Sequence, residues 1–456
     1  MVAILAGTTA AAFEAYAVLA AMPLAAEELG GVNLYAWTFT MFVTGQVLAI
    51  VVAGRVCDRR GLILPLLFGC LTFFLGLVGA GAATNMLFLL LCRFFQGIGA
   101  GALNLALMVL IADIFNEDER PKMIMAQSFA WVGPSFFGPP ISAWIATSFG
   151  WHWVFWAVAP FMLLAVAIGA KPLYDIREGL RRDGSAANPV PLWAAFVVTV
   201  GVAIVQFAAQ QFDPEAGGAV WSLPVIGAVA LVGILLLGVS IPRLMPPGIF
   251  RFRPGIVAVM WVRAFIAGSF FIVESFVPLI LVQQRGIDLV KAGLALTVGS
   301  IGWTFGSWLQ ARPWMRLRRD HLIVIGAACV TLGSAISLVF TTSTSIPVFV
   351  LLLGYVVSGV GMGFAVTGTS LANMMLSPLG VLGRNTSSLQ VSEGLGNAML
   401  VGFAGAIFAA LRTTQPLNIT FPVMLTVSVA GGLLALVFAV RIGRVQETGS
   451  IVTVNE

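Results

Sequence analysis

Charge is what this 456-residue chain has least of: only 9% of its residues are Asp, Glu, Lys or Arg, against roughly 25% in a soluble domain. Hydrophobic residues make up 59%, and the mean hydropathy is +1.00. Surface-to-volume scaling limits how much of that apolar surface a water-soluble fold can bury, so a cytosolic enzyme is excluded. Histidine is nearly absent: His152 and His321 are the only two, and they fall at helix ends in separate halves. The four cysteines, Cys57, Cys70, Cys92 and Cys329, lie in or beside apolar runs without metal-ligand spacing, which supports neither a metal site nor a disulfide framework. No basic region precedes the first apolar helix, so no cleavable signal peptide is expected. The pI near 9.3 is no sign of nucleic-acid binding, because excess Lys and Arg in a membrane protein mark its cytoplasmic side.

What is abundant is apolar sequence in stretches of about 20 residues, the length a bilayer span needs. Such stretches run at about 3–27, 34–54, 62–83, 86–111, 123–147 and 152–170, then 190–209 and 219–242, then 255–283, 290–310, 321–340, 346–374, 390–411 and 419–440. Six, two and six make fourteen spans. A polar segment with Arg177, Arg181 and Arg182 precedes the middle pair, and a basic turn with Arg243, Arg251 and Arg253 follows it. The 50 glycines suit helices packed in lipid, where small residues let backbones approach.

The positive charges set an orientation. With the N-terminus in the cytoplasm, 19 of the 24 Lys and Arg fall in cytoplasmic segments, three outside (Arg285, Lys291 and Arg412), and two, Arg93 and Arg263, within spans. That asymmetry is a positive-inside signal. An internal repeat is also visible. Leu89-Leu90-Leu91-Cys92-Arg93 through Gly97-Ile98-Gly99-Ala100-Gly101 resembles Leu351-Leu352-Leu353-Gly354-Tyr355 through Gly359-Val360-Gly361-Met362-Gly363, 262 residues later. Pro23 to Gly30 resembles Pro278 to Gly286. Duplicated six-helix halves are a common transporter plan. Chance similarity between Gly- and Leu-rich helices is the competing explanation.

Several motifs carry a family resemblance. Gly54-Arg55-Val56-Cys57-Asp58-Arg59-Arg60-Gly61, between spans 2 and 3, resembles motif A of the major facilitator superfamily, whose gate residues are here Gly54, Asp58, Arg59 and Gly61. An acid among arginines at a helix end can hold a neighbouring helix by charge-assisted hydrogen bonds. The basic pair that follows in the family is here Leu62-Ile63. Arg93-Phe94-Phe95-Gln96-Gly97 in span 4 resembles motif B. Gly133-Pro134-Ser135-Phe136-Phe137-Gly138 in span 5 resembles the antiporter motif C, its Gly133, Pro134 and Gly138 matching and Phe137 standing for a glycine. Trp151-His152-Trp153 stands where the family has W-R-W, and Glu14 lies nine residues before Pro23, as in drug/proton antiporters.

The resemblance covers nearly the whole chain and points to the 14-helix drug:H+ antiporter family. It implies an all-α membrane protein of the major facilitator fold: two six-helix bundles plus two linker helices, 14 transmembrane helices, N- and C-termini cytoplasmic. Residues 1–171 are expected to form the N-terminal bundle, 172–189 a cytoplasmic linker, 190–242 the two additional helices and 243–254 a second linker. Residues 255–442 would form the C-terminal bundle and 443–456 a cytoplasmic tail.

Charge within a span is costly and its default reading is functional. Glu14 sits about 11 residues into span 1, roughly 16 Å deep, and Arg93 can reach a similar depth. Burial and a nearby arginine pull a carboxyl's proton affinity in opposite directions, which suits proton coupling by Glu14 tuned by Arg93; a static ion bridge fixing helix packing is the alternative. Glu274, four residues before Pro278 in span 9, is the candidate contact for a cationic substrate, or else a rim acid near the outer interface. Arg263 is 11 residues earlier, about 16 Å away along the helix, so the two are not a direct pair. Glu393, near the start of span 13, either lines the cavity or favours the helix N-terminus. Tyr16, Trp37, Gln96, Asn104, Gln127, Trp131, Phe270 and Trp303 are candidates for a broad, mostly apolar pocket, although packing explains each one taken singly. Gln206, Gln210 and Gln211 are expected at the membrane interface.

The expected function is proton-coupled antiport: export of amphipathic, cationic drugs or toxic compounds by alternating access. The alternative is a proton-coupled exporter of a lipid or endogenous metabolite with the same fold. An intramembrane enzyme would need a nucleophile–base or metal constellation, which the two separated histidines do not supply. No cofactor or metal is implied, and the proton gradient is the expected energy source. The expected partners are a small-molecule substrate, protons and the lipid bilayer, with no nucleic acid. The protein is expected to be a monomer, multi-pass in the cytoplasmic (inner) membrane of a bacterium.

Overall fold

A computed structural model describes residues 2–114, 120–176, 191–213, 218–219, 221–310, 312, 315, 317–377 and 382–445. Among these are fourteen α-helices: α1 (Val2–Glu28), α2 (Tyr35–Arg60), α3 (Ile63–Gly81), α4 (Met86–Ile114), α5 (Arg120–Phe149), α6 (His152–Ile176), α7 (Leu192–Ala209), α8 (Leu223–Leu244), α9 (Ile256–Arg285), α10 (Leu289–Gln310), α11 (Arg319–Thr342), α12 (Val348–Leu376), α13 (Leu382–Leu411) and α14 (Leu417–Val440). Helix is the local solution for such apolar runs because lipid offers no partner for backbone N–H and C=O groups. Thirteen are long and apolar enough to cross a membrane. The other, α5, is as long at 30 residues, but its prolines, glycines and tryptophans make it less apolar. Several ends differ from the sequence expectation. α6 continues past residue 171 to Ile176, and α8 starts at Leu223 rather than 219, because Gly218–Ala219 pairs antiparallel with Phe212–Asp213.

The internal repeat is expressed in the packing. In the first half α4 lies against α2 and α3, α1 against α5 and α6, and α3 against α6. In the second half α12 lies against α10 and α11, α9 against α13 and α14, and α11 against α14. A shift of eight helices maps one set on the other. The two halves meet where α2 packs on α13 and α5 on α10, a pair of contacts that the same shift exchanges.

Two sequence features make these seams possible. A Cβ on Gly97 of α4 would fall 1.9 Å from Phe42 O of α2, and one on its repeat partner Gly359 of α12 would fall 2.3 Å from Gly299 O of α10. Only glycine permits backbones this close. The helix ends repeat as well: α1 and α9 both run out into a left-handed glycine, Gly30 (φ 61°) and Gly286 (φ 60°), a conformation with little cost for glycine alone. The closing bonds differ in span: the Gly31 N–H donates to Ala26 O five residues back, and the Ile287 N–H to Leu281 O six back.

The additional helices α7 and α8 pack on each other, and α7 rests on both α2 and α13. Gln206, expected at the interface, is instead buried at 3% exposure. Its Nε2 donates to Ala398 O of α13 at 2.8 Å. The amide is useful there because it ties α7 to a backbone carbonyl inside the packed seam. Gln210 and Gln211 are partly buried, and Gln210 reaches Asn33 O.

Candidate functional site

The first half is organised around Glu14 and Arg93. Glu14 on α1 is 0% exposed and Arg93 on α4 is 3% exposed. The Arg93 Nη1 donates to Glu14 Oε1 and, at 2.5 Å, to Gln96 Oε1 on its own helix. Its Nε donates to Thr38 O of α2 at 3.2 Å, and Phe42 offers its ring face 4.4 Å from the guanidinium carbon. Each arginine contact comes from a different constraint. Gln96 is one helical turn away, Phe42 is brought in by the glycine seam, and Glu14 is delivered by α1. A guanidinium with several donors in a fixed fork suits such a crowded site better than an ammonium. Glu14 Oε2, Gln96 Nε2 and the Trp37 Nε1 are buried without a protein partner, so the pair is a polar island with unfilled hydrogen-bonding capacity.

The second half places Glu274 on α9, 4% exposed. It is therefore not a rim acid. Its Oε1 accepts from the Tyr355 hydroxyl on α12 at 3.2 Å. Tyr355 stacks on Phe270 with centroids 5.7 Å apart, and Trp303 meets Phe270 edge-on at 5.4 Å. Tyr16 of α1 crosses from the first half to lie beside Ser300 and Glu274. A buried carboxylate next to an aromatic cluster offers the two kinds of group, a negative charge and ring faces, that attract an organic cation.

Tyr355 is the residue that reasoning from single positions missed. The 262-residue repeat offset carries Arg93 onto Tyr355, so the fourth helix of each half points a donor at a carboxylate on the first helix. In one half the donor is a cation and in the other a neutral phenol. The signal lay in the repeat, because a tyrosine in an apolar helix attracts no attention by itself.

Arg263 is not close to Glu274; it pairs with Glu393 of α13, its Nε and Nη2 each 3.0 Å from Oε2. Its Nη1 donates to Val366 O at 2.6 Å and Thr369 Oγ1 at 2.9 Å. Neither sequence reading of Glu393 anticipated this ion pair between α9 and α13. The remaining pocket candidates separate into groups. Gln96 belongs to the Arg93 island, and Tyr16 and Phe270 to the Glu274 cluster. Asn104 and Trp131 line a cavity inside the first six helices, whose described lining does not include Phe270. The Gln127 side chain lies outside the described residues.

Motif A residues sit at the end of α2. Gly61 closes the helix with φ 80°, its N–H donating to Cys57 O at 3.0 Å. Arg59 is exposed, Gly54 faces Leu105 of α4, and the Asp58 side chain lies outside the described residues. In motif C Gly138 meets α1, at the Tyr16 Cβ; Gly133 has open space around it, and Pro134 is inside α5. Among the described residues no group of three or more His, Cys, Asp or Glu is placed to hold a metal ion.

Comparison with known proteins agrees with this architecture. The chain is 24% identical over 394 residues to the multidrug transporter protein MdtP of Bacillus subtilis, an alignment covering 86% of this chain and 71% of that protein. It is 25% identical to multidrug resistance protein 3 of the same organism, over 92% of this chain and 80% of that protein. Among solved structures, the POT family transporter PepTSo superposes with a TM-score of 0.71 at 12% identity, covering 96% of this chain and 97% of that one; at that identity the likeness concerns the fold. The Major Facilitator Superfamily profile matches residues 4–400. The chain is thus a multi-pass membrane transporter and belongs to the Major Facilitator Superfamily.

Proposed function

We propose that this transporter exports amphipathic organic cations in exchange for protons, by alternating access of its two six-helix halves, in the cytoplasmic membrane of a bacterium. The observation that carries the reading is the pair of buried carboxylates, Glu14 and Glu274, one on the first helix of each half. Intramembrane carboxylates mark proton and ion pathways. The names of the relatives, a multidrug transporter and a multidrug resistance protein, support a drug as cargo.

In this scheme the aromatic cluster beside Glu274 receives the cation. A proton entering from the opposite side neutralises a carboxylate and releases its hold on the substrate. Glu14, held by Arg93, exchanges its ion pair for a proton as α1 and α4 shift. The N-terminus faces the cytoplasm, as the charge asymmetry of the loops directs. If one proton is exchanged for one monovalent cation, no net charge moves. The membrane potential, worth about 2.3 kcal/mol per charge per 100 mV, then contributes nothing and the pH difference alone drives export.

The experiment is reconstitution in liposomes with an imposed pH gradient, testing tetraphenylphosphonium as the cation and a labelled phospholipid as the alternative cargo. Gradient-dependent cation flux, reduced at least tenfold in Glu14→Gln and in Glu274→Gln, is expected. Flux indifferent to collapse of the gradient, or movement of the lipid without the cation, overturns the reading.

A further inference from the structure

A cavity of about 480 Å3 lies inside the first six helices, within the range of small-molecule sites. Its walls come from the ends of α1, α3, α4 and α6 nearest the basic loops, with Phe42 and Gln46 of α2 and Trp131 of α5. None of the described lining residues is charged. Gln46 and Asn104 supply polar groups, and both are only partly buried.

The mouth can be located from the packing of α3 and α6. These helices are hydrogen-bonded at their far ends, where the Trp156 Nε1 donates to Val78 O and His152 Nδ1 lies 2.9 Å from Gly81 O. Toward the basic loops, lining residues Leu67 of α3 and Ile168 of α6 are instead 53% and 40% exposed. One opening therefore lies between the outer faces of α3 and α6, while Ile114 of α4 and Trp131 of α5, 42% and 40% exposed, border the cavity on its other side. Lys171 stands at its lip, exposed, between the lining residues Ala170 and Pro172. At the deep end Ala11 and Ala15 flank Glu14, and Phe42 separates the cavity from Arg93.

We propose that this cavity binds the hydrocarbon chain of an anionic single-chain amphiphile drawn from the basic-side leaflet, with its acidic head at Lys171. The described walls offer no charge to offset the desolvation of a charged group, so the apolar part of a ligand belongs inside. A lysine at the leaflet surface favours an anion. The site is distinct from the cation cluster around Glu274 and independent of whether transport is proton-coupled.

The test uses the full-length protein, delipidated in detergent, titrated with the fluorescent fatty acid cis-parinaric acid and with its methyl ester. Saturable binding of the acid is expected, undisturbed by tetraphenylphosphonium. Filling the wall with Ala165→Trp weakens it at least tenfold. Leu107→Trp, at a partly buried lining position, gives the same result should the first variant fold poorly, with thermal melting as the check of folding. Lys171→Glu weakens the acid several-fold and leaves the ester unchanged. Non-saturable binding, indifference to both filling variants, displacement by the cation, or equal effects of Lys171→Glu on acid and ester each overturns the proposal.

Discussion

At the scale of single residues, the two halves treat a buried carboxylate in opposite ways. Glu14 faces a guanidinium that is itself held by Thr38 O, Gln96 and Phe42. Glu274 faces a phenol. Removing one member of a buried ion pair strands the other charge, at a cost of about 3–5 kcal/mol, whereas removing both is far milder. Arg93→Gln should therefore lower thermal stability markedly and Glu14→Gln/Arg93→Gln should regain much of it; equal melting of the two variants would contradict the pairing. Tyr355→Phe removes a neutral donor from a buried carboxylate, so its stability loss should be about 1–3 kcal/mol, less than that of Arg93→Gln, read in the same melting curve. Cation binding should weaken as pH falls, because a protonated Glu274 no longer attracts a cation, and an equilibrium binding titration at several pH values shows the slope. The charged members were legible in the sequence because any charge in an apolar run stands out. Their partners were less so. Glu393 is 130 residues from Arg263, a distance no local pattern bridges, and Tyr355 is marked only by its place in the repeat.

At the scale of helices, close approach depends on where glycine falls. Gly97 and Gly359 sit against carbonyls of the neighbouring helix, while Gly133 has open space around it. Gly97→Leu and Gly359→Leu force α4 from α2 and α12 from α10. Overpacking costs of about 1–3 kcal/mol or more should appear as lost folded yield by size-exclusion chromatography, and Gly133→Ala should behave as the native chain. The fourteen helices were readable from apolar length, and most ends to within a few residues. The exceptions are α13, which starts at Leu382 rather than 390, α2, which runs on to Arg60 rather than 54, α6, which carries its winding into the sequence read as linker, and α8, delayed by the two-residue β pair. The burial of Gln206 was hidden because an amide reads as interfacial until the neighbouring carbonyl, Ala398 O, is known.

At the scale of the whole molecule, eight-helix periodicity governs both packing and chemistry. Hydrogen bonds between the halves join the Tyr35 hydroxyl to Ser275 O at 2.6 Å and Thr297 Oγ1 to Phe136 O at 3.0 Å. Tyr35 opens α2 at the end opposite Arg59 and Arg60, so that contact closes the side away from the basic loops. Orientation itself is checked with single cysteines in a cysteine-free background. A membrane-impermeant thiol reagent added to intact cells should label Lys291→Cys and spare Arg60→Cys, and the reverse pattern would invert the topology. The central claim is competition between a proton and an organic cation for the buried carboxylates. It is tested most directly by adding tetraphenylphosphonium to purified protein in weakly buffered detergent and recording proton release with a pH indicator. The account predicts release that saturates with cation binding and disappears in Glu274→Gln. Saturable binding without proton release, or release unchanged in Glu274→Gln, would contradict it.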